Sequence, residues 1–140
     1  MINSLAGFFT KFKAESGAVL DLKDASGGFF LRTATKTADY TCVKSDSGTI
    51  FDTRGASGAV IFTLPGLCKG WWAIFVNGSN NDVTITNATA DALITFNDTA
   101  ADGVALSTTS EKTGGMVLVV CDGTAYMANK IGGNTLTVNT

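Results

Sequence analysis

From residue 40 onward, apolar and polar positions alternate in short runs separated by small turn-forming residues. The runs are "DYTCV" (39–43), "TIFDT" (49–53), "AVIFTL" (59–64), "WWAIFVN" (71–77), "DVTITN" (82–87), "ALITFN" (92–97), "GVALST" (103–108), "MVLVVCD" (116–122) and "AYMANK" (125–130). Between them stand "SDSG", "RGASG", "PGLCKG", "GSNN", "NATAD", "NDTAADG", "TSEKTGG" and "DG". Short β-branched and aromatic runs at this spacing predict an all-β body, an antiparallel β-sandwich or a β-barrel-like domain. Alternation places Val60, Phe62 and Leu64 on one face of their strand, and Val83 and Ile85 on one face of theirs. Asp122-Gly123 is the best hairpin signal in the chain. Pro65 follows Leu64 where its missing N–H costs a ladder least, so Ser45 to Gly66 reads as two strands joined through "TRGASG".

The run "GWWAIFVN" departs from the half-polar pattern. As a strand it puts Trp71, Ala73 and Phe75 on one face and Trp72, Ile74 and Val76 on the other, and both faces are apolar. Such a strand is buried on both sides, at the centre of a sandwich or with one side against a neighbouring subunit. Trp71 and Trp72 are therefore candidates for core or interface. An exposed tryptophan that stacks on a sugar is the competing reading.

Residues 1–38 lack this alternation and are read as an extended or short-helical N-terminal arm, leaving 39–140 as the body. Ser4 is placed as an N-cap, and Leu5, Phe8, Phe9 and Phe12 follow at helical spacing before Gly17. Gly7 weakens that helix by roughly 1 kcal/mol. A second Gly-Phe-Phe stands at 28–30, with no third copy to mark a repeat. Phe8, Phe9, Phe12, Phe29 and Phe30 are too many for a solvated tail. Docking onto a partner or a sister subunit would bury them. With two lysines, the segment lacks the basic face of a membrane-binding helix.

Composition narrows the partners. The chain of 140 residues carries a net charge of −2, with 16% charged residues, and fits one modest domain. Residues 41–140 hold five Lys/Arg against eight Asp/Glu, so a nucleic-acid partner is not expected. The longest apolar runs, "GWWAIFV" and "GGMVLVVC", are far shorter than the roughly 20 residues that cross a bilayer, and no membrane partner is expected. The first residues have no basic stretch ahead of an apolar one, so synthesis in the cytoplasm is expected. Cys42, Cys68 and Cys121 are odd in number and widely spaced, and the chain has no histidine. They read as small buried hydrophobes rather than a disulfide framework or a zinc site, and no metal or cofactor is expected.

Candidate chemistry is thin. Asp46-Ser47-Gly48 and Asp52-Thr53 glance toward aspartic-protease signatures, but Arg54 intrudes on the second and no apolar run leads into either. Asp82, Asp91, Asp98, Asp102 and Glu111 all sit in turn-like segments, which is a poor setting for a glycosidase pair. A cysteine nucleophile lacks its histidine. The oxygen-rich "NDTAADG" (97–103) matches no EF-hand spacing and reads as a solvated loop. Asn77, Asn87 and Asn97 open glycosylation sequons that matter only in a secreted eukaryotic chain. No enzyme is expected.

One resemblance adds to this reading. Tyr40, Thr41, Asp46, Ser47, Gly48 and Phe51 are followed by Gly55, Ala56, Gly58, Val60, Phe62, Leu64 and Pro65. Gly70, Phe75, Val76 and Asn77 come next, and then Val83, Thr84 and Ile85. With the closing "GGMVLVVCDGTAYMA", this ordered series over about 39–130 resembles a β-module of tailed-phage virion proteins, found in head-decoration and tail-fibre-associated chains. Arg54 and the paired tryptophans depart from its pattern. The resemblance implies a structural virion protein without catalytic residues, forming a homotrimer. With one small domain, no heptad shaft and an aromatic-rich arm, the expected role is a capsid decoration (cement) protein. It would sit on the outer surface of the head, bind the major capsid protein and stabilise the shell. The alternative is a tail-fibre or tail-tip receptor- or carbohydrate-binding module.

Overall fold

A computed structural model describes residues 31–140, which form one compact unit. The body is all-β, two sheets packed face to face. Twelve strands follow in order. The first six are β1 (Arg32–Thr35), β2 (Tyr40–Thr41), β3 (Thr49–Asp52), β4 (Val60–Thr63), β5 (Trp72–Val76) and β6 (Val83–Thr86). The rest are β7 (Leu93–Thr95), β8 (Asp98–Ala101), β9 (Gly103–Leu106), β10 (Met116–Cys121), β11 (Tyr126–Ile131) and β12 (Thr137–Asn139). The larger sheet has the order β1-β3-β5-β10-β11-β7-β8, and the smaller β12-β9-β6-β4-β2.

The strand directions correct the expectation of an antiparallel body. Five of the ladders are parallel and five antiparallel. The reason lies in the turns. From β1 to β6, successive strands alternate between the two sheets, so "SDSG", "RGASG" and "PGLCKG" arch across the core instead of closing hairpins. Each return to a sheet then runs in the same direction as the strand before it. Arg32 pairs with Thr49 and Thr49 with Ala73 in one sheet, and Tyr40 with Phe62 and Val60 with Val83 in the other. The hairpin at Asp122-Gly123 is present, with Cys121 opposite Tyr126. Gly123 has φ 103°, a left-handed conformation that suits glycine. The Asp122 carboxylate accepts from the N–H groups of Thr124 and Ala125 and from the Thr124 hydroxyl, which together hold its pKa down at about 2.

The start of the body also moves. β1 lies within the stretch assigned to the arm, pairs with β3, and brings the body back to Leu31 rather than residue 39. Its residues, "RTAT", have little apolar pattern because it is an edge strand. Arg32 Nε donates to Thr49 Oγ1 at 2.7 Å and anchors it.

The core lies between the sheets. Phe51 and Phe75 stack in the larger sheet at 5.4 Å and 14°, and Phe62 of the smaller sheet packs on both, at 5.5 and 4.9 Å. Trp71 is 1% exposed and meets Tyr126 edge-on at 5.8 Å. Offset and edge-on pairs of this kind contribute about 0.5–1.5 kcal/mol each beyond area burial. One end is closed by polar groups. Buried Thr53 donates to Asn77 Oδ1 and accepts from Gly78 N, and Asn77 Nδ2 donates to Asn81 O. Asn81 in turn donates to Ala56 O, so the turns after β3 and β5 are tied together without an unpaired group in this network.

Candidate interaction surface

β5 has two apolar faces, and the core takes one of them. Trp71, just before the strand, and Ala73 and Phe75 point inward and are buried, whereas Trp72, Ile74 and Val76 point to the outer face and are half-buried. Registered neighbours extend that outer face across the sheet. Ile50, Ile74, Leu118 and Asn129 form one row over β3, β5, β10 and β11. Asp52, Val76, Met116 and Ile131 form a second, and Trp72, Val120, Met127 and Ile94 a third over β5, β10, β11 and β7.

Ten of these twelve side chains are apolar. A sheet face turned to water ordinarily carries polar residues. Here Met127 is 36% and Ile131 43% exposed, and the other eight apolar members are half-buried. The only charge in the three rows is Asp52, at a corner. Its carboxylate accepts from Thr35 Oγ1 at 2.7 Å and from Arg54 N at 2.9 Å. The Trp72 ring lies against Gly48, where an added Cβ would meet its Cζ2 at 3.6 Å. Gly48 is left-handed at φ 80°, and its N–H donates to Trp72 O at 2.8 Å. The turn after the Asp-Ser pair thus seats the tryptophan.

The acidic candidates serve turns. Asp46 accepts from Val43 N and from the Tyr40 hydroxyl, closing a 3-10 turn at Lys44–Asp46. Asp98 accepts from Ala100 N and Asp102 from Asp91 N. "NDTAADG" is mostly strand β8, not a loop, and edges the larger sheet. Asp82 pairs with Lys112 at 2.7 Å. Glu111 accepts from the Thr135 hydroxyl and N–H, which hold its pKa down. Among the described residues no group of three or more acidic, cysteine or histidine side chains is placed to hold a metal ion, and no helix is long and apolar enough to cross a membrane.

Asn77 is buried, and its amide nitrogen is bonded within the fold. A shallow cleft lined by Pro65, Leu67, Asn87, Ala92 and Tyr126 has an empty volume of about 140 Å³ but no space for a water-sized sphere. Both amide atoms of Asn87 are buried there without a partner.

The sequence placed Trp72, Ile74 and Val76 on a common face. It did not show that β3, β10 and β11 extend that face, because the pairing of β5 with β3 and β10 is not written in local pattern. Phe8, Phe9, Phe12, Phe29 and Phe30 lie outside the described residues. No protein-family model, curated protein or solved structure matches the chain.

Proposed function

We propose that this chain is a structural virion protein, a decoration (cement) protein that binds the outer surface of the head and stabilises the shell. The observation that carries the reading is the outer face of the larger sheet, with ten apolar side chains in three registered rows and one charge at the edge. Such a face works by contact, not by chemistry, and the main apolar patch of a small protein is often its functional one.

Its occupant is a second copy of this chain within a homotrimer. An almost uncharged apolar face needs no charge-matched partner, and symmetric self-association is the commonest way to cover one. Each row crosses four strands about 4.8 Å apart and the three rows span about five residues, a patch of roughly 300 Å². A standard interface buries roughly 800 Å² per partner, so the patch is the dry centre of a contact whose rim comes from the loops. The resemblance to phage virion modules supplies the setting, in which the assembled trimer clamps neighbouring capsid subunits. Internal pressure must then break more buried contacts before the shell opens.

Sedimentation of the purified chain, and its copy number in purified particles, test this reading. Wild type is expected to sediment as a trimer, and Ile74→Lys and Leu118→Lys as monomers with an unchanged β-sheet circular dichroism spectrum. A copy number near that of the major capsid protein is expected. A monomeric wild type would overturn the assignment of the face. A few copies per particle would favour the tail-tip binding module, for which half-buried Trp72 is the natural contact.

A further inference from the structure

The turn leading from Pro65 into β5 brings the backbone of one cysteine against the sulfur of another. Trp71 N donates to Cys68 O at 2.9 Å and closes the turn, with Gly70 at φ 83° reversing the chain. Gly70 N donates to Cys121 O, and Cys121 N to Trp71 O, both at 2.8 Å, so the turn is laced to the end of β10. As a result the Cys68 backbone N–H is aimed at Cys121 Sγ, 3.3 Å away. An N–Cα bond is about 1.46 Å, so the Cys68 Cα sits within about 5 Å of that sulfur. A disulfide holds its two Cα atoms roughly 4.4–6.8 Å apart, so a Cα this close to the partner's sulfur is compatible with a bridge. Access is unequal. Cys68 is half-buried and Cys121 is buried, as is Cys42, the third free thiol.

We propose that Cys68 and Cys121 are an oxidisable pair that closes to a disulfide in the folded protein, while Cys42 remains a thiol. The oxidant is a small-molecule disulfide. The Cys68 thiolate attacks one sulfur of oxidised glutathione, forming a mixed disulfide and releasing one glutathione thiolate, which takes up a proton. Cys121 then gives up its proton and attacks the Cys68 sulfur, releasing the second glutathione. Two thiols lose two electrons in total, and one oxidised glutathione becomes two reduced ones. Cys42 stays out because burial, reinforced by Asp46, raises its pKa to about 12 and leaves little thiolate to react.

The bridge would join positions 53 apart in sequence and pin the Pro65–Gly70 turn to the β10–β11 hairpin. A loop of that length restricts the unfolded chain strongly. The pair stays reduced in a reducing cytosol and closes when the folded protein reaches oxidising surroundings, so it locks the fold after the fold has formed.

The test is incubation of the full-length folded protein with oxidised glutathione, followed by alkylation, thiol counting and peptide mapping. Loss of two of the three thiols, a mass lower by two hydrogens and a Cys68–Cys121 linked peptide are expected, with a higher melting temperature that reductant reverses. Cys121→Ala should stop at a glutathione adduct on Cys68. Cys68→Ser, at the half-buried position, should retain both remaining thiols. Three thiols surviving in wild type, a persistent wild-type glutathione adduct, or a link through Cys42 would overturn the proposal.

Discussion

The Tyr126 hydroxyl donates to the Pro65 carbonyl at 2.9 Å, across 61 positions of sequence, and both residues are buried. This bond joins the start of β11 to the end of the β4 arch. Proline offers no N–H of its own, so its carbonyl is the backbone group through which Pro65 bonds to β11. Tyr126→Phe keeps the edge-on contact with Trp71 but strands that carbonyl. A loss of about 1–3 kcal/mol in urea unfolding is expected, with native-like tryptophan emission. An unchanged midpoint would mean that the arch is held by its packing and by the backbone bonds between Gly70, Trp71 and Cys121.

Gly103 begins β9 directly against β6. A Cβ there would lie 2.5 Å from Ile85 O and 3.1 Å from Thr86 Cα, both backbone atoms that cannot rotate away. Gly103→Ala should therefore force the two strands apart and cost at least about 1–3 kcal/mol. Gly58 has open space around the same atom, and Gly58→Ala should change the thermal midpoint little. Equal effects at the two sites would contradict this account of the smaller sheet.

Cys42 couples stability to alkaline pH. Burial, and then Asp46, raise its thiol from 9.0 to about 12, so folding favours the protonated form. That contribution is complete below pH 9 and is lost as pH rises through about 12. Tyr126 acts in the same direction, chiefly through burial. Chemical denaturation of wild type should show stability falling from pH 9 upward. Cys42→Ala should be less stable at neutral pH yet fall less steeply, and a variant slope equal to wild type would exclude the thiol as a source.

The two adjacent tryptophans should separate in fluorescence. Trp72→Phe leaves emission from core Trp71, expected to be blue-shifted and poorly quenched by acrylamide, whereas Trp71→Phe leaves Trp72 on the outer face. Quenching of Trp72 should fall with rising protein concentration if copies of the chain cover that face. Constant quenching over the range in which the protein associates would place the contact elsewhere.

Nine of the twelve strands of the described residues are legible in the sequence as short β-branched or aromatic runs between turn residues, "VIFT" and "MVLVVC" among them. The three that are not are β1, β8 and β12, "RTAT", "DTAA" and "TVN". All three are edge strands. They are defined by backbone pairing with one neighbour, and their side chains need not alternate. The two apolar faces of "WWAIFV" were equally legible, but not which of the two tryptophans enters the core.

Local pattern determined nine of the strands and the apolar character of β5, since both follow from which side chains stand two residues apart. Only the tertiary structure decided which strands are neighbours. The arches that carry the chain between sheets make the early neighbours parallel, pairing across 24 and 44 positions assembles Ile50, Ile74 and Leu118 into one surface, and a contact across 53 positions sets Cys68 beside Cys121. Such contacts depend on how arches stack, a property of the whole core that no short window of sequence contains.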